Sequence, residues 1–124
     1  MIIRSLEDVK DIEWGNGLSR RLLTEEDGMG YTLTDTVVYK GTSSALQYER
    51  HLEACYCIEG SGAVRTVDGE VIPIKQGTMY ALDKHDAHHL IASDHEDFRL
   101  VCVFSPALRG DEVHTLSEDG YSRY

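Results

Sequence analysis

Tyr48-Glu49-Arg50-His51-Leu52-Glu53-Ala54-Cys55-Tyr56-Cys57-Ile58-Glu59-Gly60 is the stretch on which the fold turns. Glu53 heads an otherwise apolar run from Ala54 to Ile58, short enough to be a buried strand rather than a helix. A carboxylate at the start of such a strand needs a metal or strong hydrogen bonds to offset its lost hydration. Cys55 and Cys57 alternate within the run and read as small buried strand residues. Glu59-Gly60-Ser61-Gly62 then carries a hairpin signal, so a strand over Glu53 to Glu59 is expected to turn back on itself.

Outward from this stretch the pattern repeats. Strands are predicted over Ser19 to Thr24, Tyr31 to Tyr39, Ala45 to Glu49, Ala63 to Val67, Val71 to Ile74, Met79 to Leu82, His88 to Ala92 and Phe98 to Phe104. Asp68-Gly69, Gln76-Gly77 and Ser93-Asp94 separate some of them, and Trp14 to Gly17 reads as a loop. Strand-like runs at this spacing point to an all-β sandwich or barrel. Ser5-Leu6-Glu7-Asp8 looks like a capped N-terminus, so a short N-terminal helix to about Asp11 is expected. In the Tyr31 to Tyr39 strand, Thr32, Thr34 and Thr36 share one face. Leu33, Val37 and Tyr39 share the other, with Asp35 as an exception. The simpler reading turns the threonines to solvent; the other turns them into a polar barrel lumen. From Arg109 to Tyr124 the chain is polar, either a disordered tail or a lid.

Composition narrows the function classes. The chain has 124 residues, 12 Lys and Arg against 22 Asp and Glu, and a net charge of -10. That length suits one domain over 1–124. A pI near 4.9 argues against nucleic acid and against anionic membrane surfaces, both of which need clustered cations. No apolar run approaches the roughly 20 residues of a membrane span, and the N-terminus lacks the regions of a signal peptide. Three cysteines in these spacings suggest neither a disulfide framework nor a zinc site. A reducing, cytoplasmic location is expected.

The spacing from Glu53 to Gly60 resembles the end of the first cupin motif, in which the acid binds a metal and the glycine makes a turn. The two upstream histidines of that motif are replaced by Leu46 and Tyr48, and His51 stands two residues before Glu53. The second cupin motif maps to Gly69, Lys75, Gly77 and Tyr80, so Tyr80 stands in a metal-binding position. His88 opens the next strand after His85-Asp86-Ala87. A carboxylate, a phenol and an imidazole make a donor set for Fe²⁺ or Zn²⁺, with open positions left for substrate. Taken one at a time, each has a plainer reading that prevails: Glu53 as a surface acid, Tyr80 as a core aromatic and His88 as part of a solvated turn.

Longer segments settle on one family. Ser19–Leu23 (S-R-R-L-L), Asp27–Gly30 (D-G-M-G), His51–Ala54 (H-L-E-A), Gly77–Asp86 (G-T-M-Y-A-L-D-K-H-D), Val101–Phe104 (V-C-V-F) and Glu112–His114 (E-V-H) together resemble the ectoine synthases over nearly the whole chain. The resemblance implies a cupin-type antiparallel β-barrel, or jelly roll, in a cytoplasmic homodimer. It implies an iron-dependent lyase that cyclises N4-acetyl-L-2,4-diaminobutyrate to ectoine with loss of water. It assigns Glu53, Tyr80 and His88 to the metal, and Tyr48, His51, Glu112 and His114 to catalysis. Arg21, Thr36, Trp14, Thr34 and Phe104 fall to the substrate pocket, with Arg21 on the substrate carboxylate.

The departures concern the pocket. The family usually carries a Trp where this chain has Gly17, and Trp14 lies three residues earlier. Thr34 replaces a common Asn or His, and Gln76 and Ser105 alter turn sequences. These changes keep two alternatives in view: a related cupin acting on another small amino or amide substrate, and a non-catalytic cupin that binds a small solute.

Overall fold

The computed structural model describes residues 1–116 and 120–124. Eleven strands follow in chain order: β1 (Ile12–Glu13), β2 (Gly17–Leu23), β3 (Thr32–Val38), β4 (Ser43–Gln47), β5 (Leu52–Glu59), β6 (Ser61–Thr66), β7 (Val71–Lys75), β8 (Met79–Leu82), β9 (His88–Ala92), β10 (Phe98–Ser105) and β11 (Ser122–Arg123). One sheet has the order β1-β2-β3-β10-β5-β8, and the second β11-β4-β9-β6-β7. All pairings are antiparallel except β11 on β4. The two sheets enclose the core in the expected all-β barrel.

Period-two alternation builds that core. On β10, Phe98, Leu100, Cys102 and Phe104 point inward, while Arg99, Val101, Val103 and Ser105 do not. Glu53, Cys55 and Cys57 do the same on β5, and His88, Leu90 and Ala92 on β9. Burying a side chain such as Phe98 or Leu100 contributes about 2–3 kcal/mol.

Three expectations change. The N-terminal helix is a single 3-10 turn, Leu6–Asp8, and does not reach Asp11. Asp8 accepts hydrogen bonds from the Ser5 backbone N–H at 2.8 Å and the Ser5 hydroxyl at 3.0 Å. None of the turn's residues is buried, so no apolar face extends it.

For the threonine face the solvent reading falls, and the lumen reading, which the family resemblance favours through Thr36, holds. Thr32 and Thr34 are 0% and 1% exposed, and they line the interior. Asp35, on the outward face, is covered instead by Arg20 and Arg99. Arg20 Nη2 lies 2.5 Å from one carboxylate oxygen and Arg99 Nη2 2.8 Å from the other.

The polar tail is tied down where it is described. Leu108 is buried and its N–H donates to Thr32 Oγ1 at 2.8 Å. Further on, Ser122 and Arg123 pair with Leu46 and Gln47 at the edge of the second sheet. Within the expected lid over 109–124, residues 117–119 lie outside the described residues.

Candidate active site

Strand register assembles the site. Tyr80 on β8 stands opposite Cys55 on β5, and Cys55 stands opposite Cys102 on β10. Glu53, two residues before Cys55, therefore points to the same interior and is only 6% exposed. Burial pushes its pKa up to about 8, although the nearby Cys55 and Cys102 thiols favour its charged form. Among the described residues no arginine or lysine forms an ion pair with it.

His88 enters from the opposite sheet, its ring centroid 6.4 Å from that of Tyr80. Its Nδ1 lies 3.0 Å from the Asp86 carbonyl, which can only accept, so the proton sits on Nδ1. Nε2 then presents a lone pair, and it is buried without a hydrogen-bond partner. Burial also lowers the His88 pKa and keeps the ring neutral. A buried carboxylate without a cation, an imidazole with an orphaned lone pair and a partly buried phenol fit a divalent cation.

Trp14, Arg21, Thr36, Tyr48, Glu53, Tyr80, Phe104 and His114 all line one interior cavity. The cavity is about 30 Å³, room for roughly one or two waters. Thr34 sits beside it and bonds Thr36 between hydroxyls at 2.9 Å. His88 stands beside Tyr80 but is not on the cavity lining. His51 and Glu112 line a separate outer cleft of about 250 Å³ with Arg50, Arg109 and Tyr124. His51 Nδ1 lies 2.8 Å from the Pro106 carbonyl. The predicted residues thus divide between an inner cavity and an outer cleft, and Tyr124 belongs to both.

Arg21 is 8% exposed. It contacts Ser19 Oγ at 3.3 Å, and its Nη2 donates to the Glu112 backbone carbonyl. Its Nη1 is 3.8 Å from Glu112 Oε1 and is buried without a hydrogen-bond partner. The Glu112 carboxylate instead accepts the N–H groups of Arg109 and Gly110, each at 2.9 Å. Burial opposes ionisation of Glu112, but these donors and Arg21 outweigh it and hold its pKa below the usual range.

His114 hangs between two hydroxyls. Nε2 is 2.8 Å from Tyr48 Oη and Nδ1 is 2.8 Å from Ser122 Oγ. Burial first, then the charge of Arg21, brings its pKa down to about 3. Burial, with Glu53 nearby, pushes the Tyr48 phenol well above its ordinary value. At neutral pH both groups are uncharged.

Apart from the aliphatic leucines of the lining, Ser19, Cys55, Cys102 and Tyr124 were not singled out in the sequence. Cys55 was findable, since it shares a strand face with Glu53. Tyr124 gave no signal, because it ends a polar stretch without periodicity. It packs against Tyr48 and His114, with ring centroids 5.0 and 4.5 Å away.

An ectoine synthase family model matches residues 1–123. The chain belongs to the ectoine synthase family. An L-ectoine synthase of Desulfatibacillum aliphaticivorans is 54% identical over 97% of this chain and 95% of its own length. One from Halalkalibacterium halodurans is 50% identical over 92% and 91%. The crystal structure of ectoine synthase from P. lautus superposes with a TM-score of 0.83, at 46% identity over 89% of this chain and 81% of that one. A cupin 2 conserved barrel domain protein from Salinispora arenicola, 21% identical over 85% and 88% with a TM-score of 0.71, shares the fold. Ectoine synthase activity is accordingly the function of this chain, an enzyme of the lyase class.

Proposed function

We propose that the inner cavity cyclises N4-acetyl-L-2,4-diaminobutyrate to ectoine, with residues 1–124 acting as one cupin domain. The orphaned Arg21 Nη1 carries this reading. A buried guanidinium N–H without a partner costs stability, and a substrate carboxylate would satisfy it. The α-amine, as the free base, attacks the acetyl carbonyl carbon. A carbon–nitrogen bond forms, the carbonyl oxygen takes up protons, and it leaves as water to give the cyclic amidine.

Glu53, Tyr80 and His88 would hold the metal, which we take to be iron, with Zn²⁺ or another divalent cation as substitutes. When bound, it supplies Lewis-acid polarisation of the acetyl carbonyl. The protonated phenol of Tyr48 gives a proton to the departing oxygen, and His114 aims its hydroxyl. His51, with Nδ1 engaged by Pro106, keeps Nε2 as a base for the amine proton, which it reaches only once the outer cleft and the inner cavity, both lined by Tyr124, join on substrate entry. Glu112 holds Arg21 in place through its backbone carbonyl. Trp14, Thr36 and Phe104 wall the chain into a bent conformer, and Thr34 supports Thr36. A cavity this small must open to admit the substrate.

The outward face of β5, β8 and β10 exposes Leu52, Tyr56, Met79 and Val103. Covering it favours a homodimer. The net charge of -10 suits a cytoplasmic enzyme with a small-molecule substrate and no nucleic-acid partner.

The test reconstitutes purified protein with Fe²⁺ and follows ectoine formation. Turnover that Glu53→Ala abolishes is expected. Metal binding with turnover of a different amide only would replace the substrate assignment, and ligand binding with no turnover would replace the catalytic one.

A further inference from the structure

The proposed reaction makes no use of Cys55 and Cys102. They face each other across β5 and β10, both free and both buried. Glu53 shares their side of the sheet. One sulfur from each cysteine and one Glu53 carboxylate oxygen all lie within 4.8 Å of one another. Three anionic-capable donors on three fixed strand positions form more than a chance cysteine contact.

Cation chemistry fits this spacing. Tetrahedral ligation at zinc–sulfur distances of about 2.3 Å separates two sulfurs by about 3.8 Å. The three donors lie at most about 1 Å beyond that spacing, a gap the cysteine and Glu53 side chains would close on binding. Two thiolates and one carboxylate favour soft ions of the zinc and cadmium kind, whereas carboxylate, phenolate and imidazole make a harder set. Cys57, the third buried cysteine, instead directs its thiol to the carbonyls of Glu59 and Gly60, at 3.4 and 3.6 Å.

We propose that Glu53, Cys55 and Cys102 form a second cation site for soft divalent ions, which competes for Glu53 with the Glu53–Tyr80–His88 set. On binding, each thiol releases its proton to solvent and its sulfur lone pair binds the cation, with no change of oxidation state. An ion held there withdraws Glu53 from the other donors. The thiol set involves neither Tyr80 nor His88, so it stands whether or not those residues hold the catalytic metal.

The experiment titrates the full chain, reduced and metal-free, with Co²⁺ and separately with Cd²⁺. It records the thiolate-to-metal charge-transfer absorption in the ultraviolet, a readout independent of turnover. Wild type, Cys57→Ala and His88→Ala are expected to develop the band. Cys55→Ala and Cys102→Ala are expected to lose it, with folding checked by circular dichroism and Cys55→Ser and Cys102→Ser as replacements for any variant that fails to fold. A wild type without the band overturns the site. So does a band that survives loss of Cys55 or Cys102. A band lost in His88→Ala shows a single mixed site and overturns the competition.

Discussion

The Tyr48 hydroxyl lies 2.8 Å from His114 Nε2, joining the end of the barrel wall to the C-terminal segment. Tyr48→Phe keeps the ring and its packing on Phe104, 5.1 Å between centroids, and removes only the hydroxyl. If that hydroxyl protonates the departing oxygen, kcat falls by about 10²–10⁴-fold with little change in KM. Steady-state kinetics on a variant with wild-type thermal stability measures this. A drop confined to KM would move Tyr48 from proton transfer to binding.

His114 also makes the segment sensitive to acid. Its folded pKa is about 3 against an ordinary 6.5, so the folded state binds fewer protons than the unfolded one between those values. The stability it contributes is present above pH 6.5 and is lost as pH falls toward 3. Local release of the segment limits the loss to on the order of 2–4 kcal/mol. Trp14 is the only tryptophan and packs edge-on to His114 at 5.7 Å, so its fluorescence reports the release. The transition is expected to vanish in His114→Gln.

Asp35 is held between two arginines on the outward face of β3. Burial would raise its pKa, but the hydrogen bonds from Arg99 and Arg20 prevail and keep it below the ordinary value. Asp35→Asn leaves Arg20 without its counter-charge and Arg99 with only the exposed Glu59 at 3.4 Å. A loss of about 2–3 kcal/mol is expected in urea denaturation. Asp35→Leu is expected to be no better, because the arginines remain.

Arg21→Lys tests the carboxylate cradle. An ammonium carries the charge but cannot present the same planar fork. KM for the substrate is expected to rise by about tenfold or more, with kcat less affected. An unchanged KM would place the substrate carboxylate elsewhere.

Gly60 has φ +74°, and a Cβ there would stand 1.9 Å from the Asp97 carbonyl oxygen. Gly60→Ala combines a left-handed backbone with a clash against main chain that cannot rotate away. A destabilisation of about 2–4 kcal/mol is expected in thermal melts.

Alternation and turn residues were enough to find the nine main strands to within two residues at each end. Met79–Leu82 and His88–Ala92 coincide with their predicted limits. The two-residue strands β1 and β11 escaped, because pairs that short carry no period to read. The threonine face was ambiguous for a physical reason. A hydroxyl is at home in water or in a polar interior, and only its neighbours decide. Asp35 was the clue: Arg20 stands opposite it on β2, and Arg99, opposite Val37 on β10, reaches it diagonally, which settles the side that faces out. At the site, motif spacing reached Glu53 and Tyr80. It did not reach the separation of His51 and Glu112 from the inner cavity, which depends on where the chain passes after Phe104.

Gly17 and Trp14 bear on how function is traced between relatives. A Cβ on Gly17 would lie 1.9 Å from the Val37 carbonyl oxygen and 2.9 Å from Trp14 Cζ2. The indole of Trp14 therefore overlies position 17, where the resemblance to the family implied a Trp, and it lines the cavity from three residues upstream. The aromatic surface is kept at a place in space while its address in the chain has moved. Column-by-column comparison would miss an aromatic surface that the cavity has. Restoring Trp at 17 alone would put two indoles in the room of one.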